Sequence, residues 1–203
     1  MAGVIVIAGI ATDVGKTTAA AAISNLLRSR GRDVVVVKVA RLEPRRPIKD
    51  MGTIEKLTGV PGIDLSEEPD PIEAVKELAA EGKTVVVEGS GGLHVPLLGE
   101  DTIAHVAARL DAPLVVVSGM TQDAVALAVE AVNFARSCGA NVIGVLGGKL
   151  PRGADLKTRL ILMQVSRATG VPFIGSIKEG AGNLDFADEF RHQLSTIHLP
   201  EEL

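Results

Sequence analysis

The stretch Gly9-Ile10-Ala11-Thr12-Asp13-Val14-Gly15-Lys16-Thr17-Thr18 decides how the rest of the chain is read. A β-branched apolar run, Val4 to Ala8, precedes it, and a stretch with helical character, Ala19 to Arg30, follows it. Strand, glycine loop and helix in that order are the setting in which a phosphate-binding loop works. Glycine lets the backbone approach a phosphate closely, and successive N–H groups point into a shared anion nest. The N-terminus of the following helix adds its dipole. In this arrangement Asp13, Val14, Gly15, Lys16, Thr17 and Thr18 form the nucleotide-binding set. Lys16 reaches the terminal phosphates and Thr17 holds Mg²⁺. Five residues separate Gly9 from Gly15, where the common form of the loop has four. The bland alternative is an ordinary glycine-rich strand-to-helix turn. The run Gly15-Lys16-Thr17-Thr18 between a strand and a helix argues against it.

Outward from the loop, short β-branched runs alternate with longer helical patterns. Val34 to Val37, Val85 to Val87, Leu114 to Val117 and Val142 to Leu146 are apolar on both faces, and Phe173 to Ile177 is a weaker sixth run. Such runs suit a buried parallel sheet. Thr121 is read as the cap of a helix carrying Val125, Val129 and Val132 on one stripe, stopped by Gly139. Asp155 caps another, with Leu156, Leu160, Met163 and Ala168 expected inward, ended by Gly170 and Pro172. The alternation implies one α/β domain over 1–203: three layers, with a mostly parallel central sheet flanked by helices. Pro44 to Asp70 is the least regular part. It reads as long loops around a short helix, Asp50 to Thr58, with an acidic patch of Asp64, Glu67, Glu68 and Asp70. A solvated loop is the plainer reading of that patch, and attraction of an amine-bearing substrate is the sharper one.

Composition removes several function classes. The chain has 203 residues and a net charge of −4, with 21 Lys+Arg against 25 Asp+Glu, so it lacks the overall basic field of a duplex-binding protein. Aromatics are 2% with no Trp or Tyr, too few for stacking platforms on single strands. The single cysteine, Cys138, excludes an intramolecular disulfide and fits a reducing compartment; it reads as a small buried hydrophobe on a helix. The apolar N-terminus lacks a basic leader and is interrupted by Asp13 and Lys16 before it could span a membrane. A soluble cytoplasmic protein is expected, with no membrane or nucleic-acid partner.

A phosphoryl-transfer site needs carboxylate near Mg²⁺. Glu88 closes the run Thr84-Val85-Val86-Val87-Glu88, at the edge of a parallel sheet where ligands bind. It is either a metal ligand beside the loop or an exposed strand-end acid. Asp50 opens a helical stretch, where capping is the commoner job. Lys38 follows four valines, and strand-end lysines are usually solvated. His94, His105, His192 and His198 have no metal-ligand spacing and read as surface or supporting residues. Two rival motifs fail. Ser90 lacks the first glycine of a nucleophile elbow, and the place of the third glycine of a dinucleotide fingerprint is His94.

Taken together these residues resemble dethiobiotin synthetase, a family of P-loop NTPase fold. The five-residue spacing from Gly9 to Gly15-Lys16-Thr17 is similar. So are Lys38 at the end of the second strand, the segment from Asp50 to Gly59, and Glu88-Gly89-Ser90-Gly91-Gly92-Leu93 with Pro96-Leu97, where the family normally has Glu-Gly-Ala-Gly-Gly. The resemblance runs from residue 4 to about 175. It implies an ATP- and Mg²⁺-dependent ligase that inserts CO₂ between the two neighbouring amines of 7,8-diaminononanoate. A carbamate takes up the γ-phosphate, and the second amine closes the mixed anhydride to a cyclic urea. It implies that Lys16 and Lys38 stabilise the transferring phosphoryl group and that Thr17, Asp50 and Glu88 hold Mg²⁺. Thr12, Lys38, Gly91 and Gly92 would then lie beside the substrate, in a homodimer with the substrate site at the subunit boundary.

The sequence also departs from the family. Lys38-Val39-Ala40-Arg41-Leu42-Glu43-Pro44 replaces a Lys-Pro followed by a hydroxyl-rich loop. Gly148-Lys149 stands where the family carries its base-reading Asn-Asp. These departures keep two alternatives in play: a related ATPase using another carboxylate or carbamate acceptor, and a nucleotide-binding regulatory switch. Partition-type switches carry an extra lysine five residues before the main one, and that place is Ala11.

Overall fold

The structure is a computed structural model describing residues 3–41, 49–121, 123–151, 153, 155–183, 190 and 197–201. In chain order the elements are β1 (Gly3–Gly9), α1 (Lys16–Ser29), β2 (Val34–Lys38), α2 (Lys49–Thr58), β3 (Gly62–Asp64), α3 (Pro71–Ala80), β4 (Thr84–Glu88), β5 (Pro96–Leu98), β6 (Asp101–Thr102), α4 (Ile103–Arg109), β7 (Pro113–Ser118), α5 (Ala124–Ser137), β8 (Asn141–Leu150), α6 (Leu156–Thr169) and β9 (Phe173–Lys178). Seven strands form one sheet in the order β3-β2-β4-β1-β7-β8-β9, and β5 and β6 make a separate antiparallel pair. Every pairing in the large sheet is parallel.

The apolar runs are explained by burial on both faces. Val6, Ala8, Val35, Val37, Val85, Val87 and Val116 point to one side, where they meet residues of α3, α4 and α5. Their alternates Ile5, Ile7, Val34, Val36, Val86, Val115 and Val117 meet α1 and α2 on the other side, with Phe190, Ile197 and Leu199. Arg30, just past α1, fastens the end of the chain by donating to the carbonyls of Leu199 at 2.8 Å and Pro200 at 2.6 Å. No helix among the described residues is long and apolar enough to cross a membrane.

Several sequence expectations need correction. The sheet has a seventh strand, β3, a three-residue half-buried edge strand too short to show a pattern. The helix after the phosphate loop starts at Lys16, not Ala19, because Gly15 in the left-handed region (φ 102°) turns the loop directly into it. The helix expected from Thr121 starts at Ala124, and Thr121 only lends its carbonyl to the Ala124 amide. Its buried stripe is Ala124, Ala128, Ala131, Val132 and Ala135, while Val125 and Val129 are half-buried. Cys138 is its C-cap residue and is half-buried.

The largest correction concerns α6. Asp155 does cap it, accepting from the Thr158 amide at 2.8 Å, and Gly170 ends it with φ 64°. However, Leu156 is 72% exposed, Met163 70% and Leu160 45%. Ala168 is also exposed, and Val165 and Thr169 are the buried positions. The helix therefore turns its alternate face to the sheet.

The acidic stretch is largely structural. Asp70 caps α3, accepting from Ile72 and Glu73 at 3.1 Å each. Asp64 pairs with Arg41 and accepts from the Ser66 amide at 3.0 Å. Glu67 and Glu68 are exposed. Leu42, Glu43 and Pro44, expected in the loop after the second strand, and His192 lie outside the described residues.

Candidate functional site

Parallel strands bring β1, β2 and β4 to one edge with their carboxyl ends together, so the sequence-distant candidates become neighbours there. The in-register pair Lys38↔Glu88 closes the β2–β4 ladder. One strand over, β1 ends at Gly9 and the loop 10–15 curls above the sheet edge into α1. The Ile10 amide donates to the Val117 carbonyl at 3.0 Å, and the Leu93 amide donates to the Gly9 carbonyl at 2.8 Å. The loop is thus tied both to β7 and to the glycine segment after β4.

At the start of α1, Lys16 is buried and its Nζ donates to the Ala11 carbonyl at 2.9 Å. The lysine therefore folds back across its own loop. Burial holds its pKa below the ordinary lysine value, opposed by the negative charge of Glu88 and pushed further down by Lys38. The negative charge of a triphosphate beside it would offset both the burial and the repulsion.

Thr17 Oγ1 donates to Glu88 Oε1 at 2.7 Å. Glu88 is 1% exposed, and burial raises its pKa to about 6, with Asp50 pushing the same way and Lys38 opposing. Its other oxygen, Oε2, is buried with no hydrogen-bond partner. A buried carboxylate oxygen without a partner is expensive, and a hard cation is a natural partner for it. Lys38 is buried and ion-paired with Asp50, which lies in the first turn of α2 and is about two-fifths exposed. Lys38 is therefore not a solvated strand-end lysine, Glu88 is not an exposed acid, and the Asp50 carboxylate reaches toward the sheet edge.

Thr17, Glu88 and Asp50 offer hydroxyl and carboxylate oxygens, the donor type Mg²⁺ takes. No group of three or more His, Cys, Asp and Glu gathers among the described residues. Mg²⁺ normally completes its shell with water and phosphate oxygens, so a small protein set fits it. Thr12 and Asp13 are exposed on the crest of the loop, Val14 is buried, and Gly15, Thr17 and Thr18 are half-buried. Gly91 and Gly92 are half-buried, and Gly92 lies beside the loop, where a Cβ would stand 3.4 Å from the Ala11 Cα.

Sequence reasoning missed three supports of the site. Gly148 in β8 packs flush against the loop: a Cβ there would stand 1.9 Å from the Val14 carbonyl oxygen, so no other residue fits. The available signal was the Gly147-Gly148 pair directly after the apolar run Val142 to Leu146, since glycine within a strand marks close backbone approach. Ser90 donates to the Ala40 carbonyl at 2.6 Å, and Arg41 pairs with Asp64. Neither contact is visible without the register of β2 on β4 and β3. The histidines stay apart from this cluster among the described residues: His105 caps α4 with Thr102, and the His94 ring lies 4.3 Å from that of Phe134.

Comparison with known proteins places the chain in a family. A sequence family described as an AAA domain matches residues 63–181. The ATP-dependent dethiobiotin synthetase of Corynebacterium diphtheriae is 37% identical over 97% of this chain and 97% of its own length. The enzymes of the same name from Corynebacterium efficiens and Corynebacterium glutamicum are 33% and 36% identical over 93% and 88% of this chain, covering 94% and 89% of their own lengths. Among solved structures, the signal recognition particle receptor FtsY from Elizabethkingia anophelis superposes with a TM-score of 0.65 at 17% identity, covering 98% of this chain and 65% of its own. The 54 kDa signal recognition particle protein from Aeropyrum pernix gives 0.64 at 19% identity, covering 86% of this chain and 41% of its own. At such identities these two show the P-loop NTPase fold alone. The relatives matched along nearly the whole chain show more: the chain belongs to the dethiobiotin synthetase family.

Proposed function

We propose that this chain is an ATP- and Mg²⁺-dependent cyclo-ligase that carboxylates 7,8-diaminononanoate to dethiobiotin, releasing ADP and phosphate. The observation that carries the reading is the gathering of Lys16, Thr17, Lys38, Asp50 and Glu88 on one sheet edge. It occurs in a chain 37% identical, along 97% of its length, to an ATP-dependent dethiobiotin synthetase.

In this reading one amine adds to CO₂ and loses a proton, giving a carbamate. A carbamate oxygen attacks the γ-phosphorus and ADP leaves with the bridging oxygen. The second amine then attacks the carbamoyl carbon, expelling phosphate and closing the urea ring. The backbone amides of residues 13–18 hold the phosphate chain. Lys16 leaves the Ala11 carbonyl to meet the terminal phosphates. Lys38, released from Asp50, faces the carbamate and the transferring group. Thr12 and the backbone of Gly91 and Gly92 border the acceptor. Thr17, Asp50 and Glu88 would hold Mg²⁺, which when bound neutralises phosphate charge. Such a site works by positioning and charge neutralisation.

The test is ADP release with Mg-ATP and bicarbonate, with and without 7,8-diaminononanoate, with the product identified by mass. Diamine-stimulated ADP release with dethiobiotin formed is the expected result. Binding of nucleotide without stimulation by the diamine would overturn the acceptor assignment.

We also infer a homodimer in the cytoplasm. The exposed leucines and methionine of α6, and Leu127 of α5 at 39% exposure, leave apolar side chains in water on two neighbouring helices. A second copy covering them would remove them from water. A particle of twice the chain mass in light scattering is expected.

A further inference from the structure

We propose that Ser90 is a positioning residue, fixing the lysine-bearing end of β2 against the glutamate-bearing end of β4. The proposal rests on the ligase reading for its kinetic consequences. The contact itself does not.

The β2–β4 ladder pairs Val34↔Thr84 through Lys38↔Glu88 and then stops. Beyond it the two segments that carry the chemistry run on without backbone pairing, β2 into Val39-Ala40-Arg41 and β4 into Gly89-Ser90-Gly91-Gly92. Ser90 Oγ donates to the Ala40 carbonyl at 2.6 Å. The bond extends the same register by two residues, 40 opposite 90. Both ends are out of water: Ser90 is 7% exposed and Ala40 5%. The family normally has alanine at this place and Lys-Pro where this chain has Lys38-Val39, so the need for a hydroxyl belongs to this chain's own loop: a buried carbonyl needs a partner, and Ser90 supplies it to Ala40.

The position of this bond matters more than its strength. The glycine segment is tied to β1, since the Gly89 amide donates to the Ile7 carbonyl at 3.0 Å and the Leu93 amide to the Gly9 carbonyl at 2.8 Å. On its far side β2 is tied to the segment after β3, where the Leu65 amide donates to the Lys38 carbonyl at 2.8 Å. Ser90 joins these two fastened units past the sheet edge. Through it the place of Lys38 becomes referred to the phosphate loop as well as to the sheet. The Ser90 hydroxyl bonds a backbone carbonyl and not a charged group, so it acts through Lys38 and Gly91-Gly92. Displacing a positioned group by about 1 Å can cost on the order of 10²-fold in rate.

The test uses the full chain and two variants, Ser90→Ala, which removes the donor, and Ser90→Cys, which nearly keeps the volume and weakens the donor. Two readouts are taken. In amide hydrogen exchange, Ser90→Ala should speed exchange in residues 38–41 and leave the phosphate-loop amides unchanged. In steady-state kinetics its kcat should fall on the order of tenfold with the nucleotide KM within about twofold, and Ser90→Cys should lie between. A lowered melting temperature with wild-type kcat, or equal losses in kcat and nucleotide affinity, would reduce Ser90 to a packing residue and overturn the proposal. If the wild-type protein shows no ligase turnover, the function reading has failed, and the exchange experiment alone decides on Ser90. If the alanine variant does not fold, Ser90→Cys decides by the same two readouts.

Discussion

Helices α1 and α6 are both 14 residues long and both follow a strand of the same sheet, yet they are buried differently. Helix α1 buries Lys16, Ala19 to Ile23, Ser24, Asn25 and Leu27. Its consecutive alanines let it lie close to the centre of the sheet, and α2 and the end of the chain cover its flanks. Helix α6 stands over the β8–β9 margin and packs beside α5, burying Val165 and Thr169 while Leu156, Leu160 and Met163 face out. An apolar stripe tells how much surface a helix needs covered. It does not tell what covers it. In α1 the cover lies within the chain, and this rigidity is a condition for the site, because its first residues are Lys16 and Thr17. In α6 no described element covers Leu156, Leu160 and Met163.

The comparison breaks most sharply at the first residue of α1. Lys16→Ala should cut kcat on the order of 10³-fold, the scale of losing a charged contact to a transferring phosphoryl group, with the melting temperature held. A kcat within twofold of wild type would remove Lys16 from the mechanism. Lys38→Ala should lower kcat on the order of 10²-fold while nucleotide affinity changes little; parallel losses in a titration with nucleotide would make Lys38 a binding residue.

Glu88 gives a smaller effect with a defined sign. Its carboxyl is raised from 4.5 to about 6 by burial, so between those values the folded state holds more protons than the unfolded one. Without metal, stability should therefore fall as pH rises from about 4.5 through about 6, by on the order of 2 kcal/mol. Glu88→Gln should flatten that dependence in urea titrations and raise the Mg²⁺ concentration needed for half-maximal activity about tenfold. An unchanged pH profile together with an unchanged metal titration would return Glu88 to an ordinary core acid.

How much of this was legible in the sequence follows the same division. The phosphate loop, the apolar strands and the acid at the end of β4 were readable because each is local: glycine spacing, β-branched runs and one carboxylate closing a run. The partners were not. That Lys38 faces Asp50, Thr17 meets Glu88, and Ser90 meets Ala40 depends on strand order and register, which link residues 12 to 71 positions apart. The edge strand β3 was invisible because three half-buried residues carry no period. Helix α6 misled because its leucines keep helical spacing whether a sheet or another molecule faces them.

Core packing sharpens the contrast on the stability side. Ala21 is fully buried in the α1 alanine run, so Ala21→Leu must push α1 off its neighbours. It should cost about 1–3 kcal/mol in chemical denaturation, with activity falling as the loop end of the helix shifts. A cost under about 0.5 kcal/mol would show that α1 sits less tightly than its burial indicates.

At the other extreme, Met163→Glu adds a charge to α6 at a residue that is 70% exposed in the single chain. If no molecule covers that face, the substitution is an ordinary surface change, worth within about 0.5 kcal/mol, and the particle mass stays as it was. If a second copy covers it, the carboxylate must be desolvated at an apolar contact, and dissociation is the cheaper outcome. The expected result is a shift from twice 21.1 kDa toward 21.1 kDa in light scattering at micromolar concentration, with the far-ultraviolet spectrum unchanged. A wild-type particle already at 21.1 kDa would mean that α6 keeps its leucines in water, and the difference from α1 would then be one of tolerance rather than of partner.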